Sequence, residues 1–73
     1  MGKLVDLPTT RVLAALRRVG WEVHAGGKHY KLLHSTLPGA LTVPRAHRLK
    51  KGTLRAIIRQ AGLTLDRFWD IYE

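Results

Sequence analysis

Apolar positions along this chain hold a helical spacing, switch to alternation, and then return to helical spacing. Between residues 10 and 19, Val12, Leu13, Leu16 and Val19 recur at helical intervals with Arg11, Arg17 and Arg18 opposite, which predicts a first helix. Pro8 stands near its start and Gly20 just past its end, as helix termini prefer. The next stretch, "WEVHA", alternates with Trp21, Val23 and Ala25 on one side and Glu22 and His24 on the other, the pattern of a half-buried strand. Gly26-Gly27 supplies the positive φ angles of a two-residue hairpin turn. That turn predicts the pairs Ala25–Lys28, His24–His29, Val23–Tyr30, Glu22–Lys31 and Trp21–Leu32. Tyr30 and Leu32 then join Trp21 and Val23 on the buried face, while Glu22, Lys31, His24 and His29 share the open one.

A second turn at "STLPGA" leads into "LTVP", where Leu41 and Val43 alternate with Thr42 and Pro44 ends the strand. "RAHRLKKG" reads as a basic loop. After it, Leu54, Ile57, Ile58 and Ala61 have helical spacing that Gly62 stops. Thr64 is the expected N-cap of a short last helix, with Asp66 in its first turn and Leu65, Phe68, Trp69 and Tyr72 as its stripe. The stripe reads as core packing, because a base-stacking role would bring phosphate against acidic neighbours. The order α-β-β-β-α plus a terminal helix predicts an α+β fold: a three-stranded antiparallel sheet with both main helices on one face and the other face partly open. A small double-stranded-RNA-binding domain has this layout, and a length of 73 residues predicts a single domain, residues 1–73.

Charge narrows the function. Thirteen basic against five acidic side chains give +8. Residues 1 to 65 hold twelve basic and two acidic groups, +10, and residues 66 to 73 hold Arg67 against Asp66, Asp70 and Glu73, −2. The basic body calls for a polyanion, and RNA fits through Lys/Arg–phosphate attraction and counterion release. The absence of cysteine excludes disulfides and Cys-ligated zinc and points to a reducing, cytoplasmic setting. No apolar run approaches the ~20 residues of a membrane span, and "MGKLVDLPTTR" lacks the apolar stretch of a signal peptide and the sixth-position hydroxyl of a myristoylation signal. No membrane association is expected.

His29, between Lys28 and Lys31 across "GGKHYK", is the candidate for chemistry. RNA carries its own nucleophile, the 2′-OH, so a nuclease needs only proton transfer and charge stabilisation. Imidazole, with an ordinary pKa of about 6.5, exists in both forms near neutrality and suits the first task. Lys28 and Lys31 suit the second. By position alone His29 reads rather as a surface histidine facing solvent near the hairpin turn. His24 is a candidate for phosphate contact or proton transfer beside it. Arg45, Arg48, Lys50 and Lys51, with Arg55, form a predicted phosphate-binding loop at a helix N-terminus. A zinc site of His24, His29 and His34 is disfavoured, since alternation puts His34 on the opposite face; no metal and no cofactor are expected.

"ALRRVGW" from Ala15 to Trp21, "GKH" from Gly27 to His29, and "LTVP" followed by "KKGTLRAIIRQAGL" within residues 41–63 resemble, in order and spacing, the HicA toxins. The resemblance implies a double-stranded-RNA-binding-domain-like fold and a ribosome-independent mRNA-cleaving activity. It further implies a toxin that is monomeric alone and forms a higher-order complex with an antitoxin of the HicB kind that blocks it. The family's catalytic histidine, in a Gly-Ser/Thr-His motif, matches His29. Lys28 departs from that motif, and His47 lies one position later than the histidine often found after Val-Pro. The competing readings are a non-catalytic RNA-binding module and a helix-turn-helix DNA-binding unit built on "LRAIIRQAGLTLDRFWDI", whose second helix offers acids where DNA reading needs cations.

Overall fold

The computed structural model describes residues 3–72. Met1, Gly2 and Glu73, the last counted above in the acidic tail, lie outside the described residues.

The first helix, α1 (Thr9–Arg18), buries Val12, Leu13, Ala15 and Leu16, the face its spacing predicts. Pro8 is its N-cap at φ −61° and offers no capping side chain. The loop before the second helix supplies partners instead: the Thr9 amide donates to the His47 carbonyl at 3.1 Å, and the Thr9 hydroxyl to the Ala46 carbonyl at 2.5 Å. The sheet follows as β2 (Trp21–Gly26), β3 (His29–His34) and β4 (Ala40–Pro44), antiparallel in the order β2-β3-β4. Two further pieces escaped the pattern: β1 (Leu7–Pro8) pairs with β5 (Arg48–Leu49), matching Leu7 with Leu49 and Pro8 with Arg48. The basic stretch is therefore not all loop. Leu49, flanked by cations, is almost wholly buried.

The second helix, α2 (Lys51–Gln60), buries Leu54, Ile57 and Ile58. It closes on Gly62 at φ +78°, with the Leu63 amide donating to the Ile58 carbonyl and the Gly62 amide to the Arg59 carbonyl, the paired bonds of a Schellman motif. Thr64 caps α3 (Leu65–Ile71) as predicted, its hydroxyl accepting from the Arg67 amide at 3.1 Å. Phe68 is fully buried, and Trp69 and Tyr72 pack partly buried against the core; Leu65 stays exposed, and Ile71 is buried in its stead. Arg18 ties α3 to α1 by donating to the Ile71 carbonyl at 2.7 Å.

Helices α1 and α2 cover one face of the sheet, where Trp21, Leu32, Leu41 and Val43 are buried with the helical leucines and isoleucines in one core. The fold is the expected α+β arrangement, with the opposite face of the sheet open.

The hairpin register corrects the predicted one. The ladder pairs Gly26 with His29, Ala25 with Tyr30, His24 with Lys31, Val23 with Leu32, Glu22 with Leu33 and Trp21 with His34. The turn is therefore Gly27-Lys28, with φ +58° at Gly27 and no positive φ at Lys28, the pattern of a type II′ turn that requires glycine only at its first central position. Moving the turn one residue draws Gly26 into the strand and adds a sixth pair to the ladder. The offset on the partner strand is two residues, so each side chain keeps its predicted face while its opposite neighbour changes.

Candidate functional site

His29 opens β3, the central strand, and is paired on one side with Gly26 and on the other with Pro44. Alternation fixes its side. Tyr30 and Leu32 point toward the helices, so His29, Lys31 and Leu33 occupy the uncovered face. Gly26, without a side chain, and the ring of Pro44 flank His29, and the imidazole is exposed with no hydrogen-bond partner among the described residues.

The site grows outward from this ring. Lys31 lies two residues along on the same face and pairs across with His24 and Thr42. Lys28 sits in the turn beside His29, and its carbonyl accepts from the Arg45 amide at 3.3 Å, which extends the ladder one bond beyond Pro44. His24 does not face His29 directly, as predicted from sequence, because the shifted register places Lys31 opposite it. The two histidines are diagonal neighbours on one face, their backbone positions about 7–8 Å apart on a regular ladder. His24 Nε2 donates to Glu22 Oε1 at 3.0 Å, both groups largely in solvent.

The predicted phosphate-binding loop divides. Arg45 stacks over Tyr30, guanidinium carbon 5.0 Å from the ring centroid, which holds it at the hairpin end of the sheet but toward the helical side. Arg48 donates to the Asp6 carbonyl at 3.0 Å. The N-terminus of α2 is met from within the chain: the Lys51 amide donates to Asp6 Oδ1 at 2.9 Å, so an internal carboxylate takes the place a phosphate was expected to fill at that amide. Lys50 is the N-cap residue and is exposed, as are Lys51 and Arg55. Arg55 lines a depression on the helical side with Leu4, Ile58, Arg59, Leu63 and Leu65, away from the open sheet face. Asp6 had no sequence signal as a cap, standing 45 residues from the amide it accepts from.

The remaining histidines have structural roles or none assigned. His34 is half-buried: its Nε2–H donates to the Val19 carbonyl at 2.8 Å, its Nδ1 accepts from the Thr36 amide at 3.1 Å, and its ring meets Trp21 edge-on at 5.1 Å. It sits on the helical side of the sheet, opposite His24 and His29. His47 is exposed, and its carbonyl receives the Thr9 amide. Among the described residues no three His, Asp or Glu side chains converge as a metal site, and no helix is long and apolar enough to cross a membrane. The helix-turn-helix alternative fares poorly, since α3 has seven residues and exposes Asp66 and Asp70 against the single cation Arg67.

A family model described as "HicA toxin of bacterial toxin-antitoxin" matches residues 10–63, from α1 through the hairpin to the end of α2. The chain belongs to the HicA toxin family. No curated protein matches it. As a HicA-family chain it is the toxin of a toxin–antitoxin system, with an antitoxin partner and an RNA target in general terms. The matched span contains the whole open sheet face and His29.

Proposed function

We propose that this HicA-family toxin is a metal-independent endoribonuclease that cleaves mRNA using His29 as its proton-transfer group, and that a HicB-like antitoxin neutralises it by covering the open sheet face. One observation carries the reading: an unengaged imidazole stands on the uncovered face at the end of the central strand, with Lys28 and Lys31 beside it, inside the span the family model matches.

The chemistry follows from what the face offers. The ribose 2′-OH attacks the adjacent phosphorus and forms a bond to it, the P–O5′ bond breaks, and the products are a 2′,3′-cyclic phosphate and a 5′-OH. His29 Nδ1 or Nε2 takes the 2′-OH proton as the attack begins, and the departing O5′ receives a proton from water or from a neighbouring acid. Lys28 and Lys31 offset the charge that builds on the phosphorane oxygens. A positioned acid–base group contributes typically 10²–10⁴-fold, so a single histidine supports a slow nuclease. Lys28 replaces the small hydroxyl of the family motif; in this reading the turn contributes a cation in place of a hydrogen-bonding hydroxyl.

The deciding experiment compares the chain with its His29→Ala variant on single-stranded RNA, duplex RNA and DNA in excess chelator. Cleavage of RNA alone, lost in the variant while binding persists, is the expected result. Equal cleavage by the variant removes His29 from the chemistry, and a strict need for a divalent ion overturns the metal-independent mechanism; binding without cleavage by either protein leaves an RNA-binding module.

A further inference from the structure

The helical side of the molecule carries a second surface that the ribonuclease reading does not use. A depression of about 210 Å³ runs between the N-terminal segment, the outer side of α2 and the start of α3, floored by Leu4, Ile58, Leu63 and Leu65 and edged by Arg55 and Arg59. Leu4, Arg55 and Leu65 also line a shallower depression of about 450 Å³ that opens past Lys3 and Lys51. The first space is below the ~300–1,000 Å³ of small-molecule sites and matches one or two side chains.

Three features specify what would fit. Arg55 and Arg59 are four residues apart on one helix, about 6 Å along its axis, and neither guanidinium has a hydrogen-bond or ion-pair partner among the described residues. Among the described residues no carboxylate lines either depression, so Arg55 and Arg59 meet no internal counter-charge there. The floor is aliphatic, and Leu65 remains about one-third exposed although it belongs to a helix whose other apolar residues pack inward. Single-stranded RNA would find phosphate partners on the rim but no aromatic ring on which to stack a base. Carboxylates that pair with guanidinium groups in bidentate fashion, carried on a chain with an aliphatic side chain between them, satisfy rim and floor together.

We propose that this groove docks an acidic segment of a partner protein, with its carboxylates on Arg55 and Arg59 and an aliphatic side chain against Leu4, Ile58, Leu63 and Leu65. The proposal does not depend on His29 acting in catalysis. A partner held here lies on the helical layer and leaves the open sheet face uncovered by this contact, so the groove serves as a tether that raises the local concentration of any second segment reaching the sheet.

The test is fluorescence anisotropy at fixed ionic strength, using the full chain with His29→Ala so that RNA cleavage plays no part. The probe is a short labelled peptide of glutamates around a leucine pair. Its comparators carry glutamines for the glutamates or serines for the leucines, and an oligouridylate of equal charge serves as the nucleic-acid control. The glutamate–leucine peptide is expected to bind at least about tenfold tighter than either peptide comparator. Arg55→Glu with Arg59→Glu, and separately Leu65→Asp, should abolish that margin, while Lys28→Glu with Lys31→Glu preserves it. Arg55→Ala and Leu65→Ser replace any variant whose circular dichroism differs from the parent. Equal binding of the three peptides, or equal loss from the Lys28 and Lys31 changes, reduces the effect to bulk charge and overturns the proposal. Loss of oligouridylate binding on Arg55→Glu, matching the loss of peptide, assigns the ridge to RNA and overturns it as well.

Discussion

Gly20→Ala probes the joint between α1 and the sheet. Gly20 holds φ at +100°, a conformation in which an L side chain costs roughly 1–2 kcal/mol. A Cβ at this position would stand 2.6 Å from His34 Nε2 and 3.3 Å from Cδ2 and Cε1. The ring cannot simply swing aside, because it is held by the Val19 carbonyl, the Thr36 amide and the edge of Trp21. Displacing it forfeits one or both hydrogen bonds, about 0.5–1.5 kcal/mol each. Strain and lost contacts together come to about 1.5–5 kcal/mol, against a total of about 4–11 kcal/mol for a domain of this length. A loss near 3 kcal/mol lowers Tm by roughly 12–24 °C. The assay is urea and thermal unfolding, followed by circular dichroism, of the parent, Gly20→Ala, His34→Ala and the double variant. Backbone strain survives in the double variant but the collision with the ring does not, so the cycle should show a coupling of about 1–2 kcal/mol. Additivity within about 0.5 kcal/mol, or a cost for Gly20→Ala below about 1 kcal/mol, would refute the argument.

His29→Ala should reduce RNA cleavage by about 10²–10⁴-fold while changing stability by less than about 0.5 kcal/mol, since the ring is exposed and bonds to none of the described residues; single-turnover cleavage and a melt read both. Lys28→Ala with Lys31→Ala should weaken RNA binding and lower the slope of log affinity against log salt by about 1.4–1.8, and Lys50→Ala with Lys51→Ala should lower it less; the reverse ranking in a salt titration would move the RNA off the sheet face. Asp6→Ala strips the carboxylate from the first amide of α2 and should cost about 0.5–2 kcal/mol by urea unfolding; an unchanged midpoint would mean that solvent caps the helix equally well.

Sequence alone determined the three helices and the three strands of the main sheet, their order, and the face on which the side chains of the hairpin lie. Those properties follow from local period: Val12, Leu13 and Leu16 mark a helical stripe whatever they pack on, and Trp21, Val23, Tyr30 and Leu32 must share a side if either strand is half-buried. The orientation of His29 toward the open face was legible for this reason, and it withstood a wrong hairpin register because the error was two residues and side chains repeat every two. Tertiary structure decided which groups meet. The choice of Gly27-Lys28 as the turn put Lys31, not His29, opposite His24. The pairing of Leu7 with Leu49, the cap from Asp6 onto Lys51 and the seat of His34 under Gly20 each join residues too far apart in the chain for any periodicity to register them. So does the division of the cations into those beside His29 and those around Leu4 and Leu65, because a basic run carries no record of which internal carbonyl or carboxylate will claim its members once the core has closed.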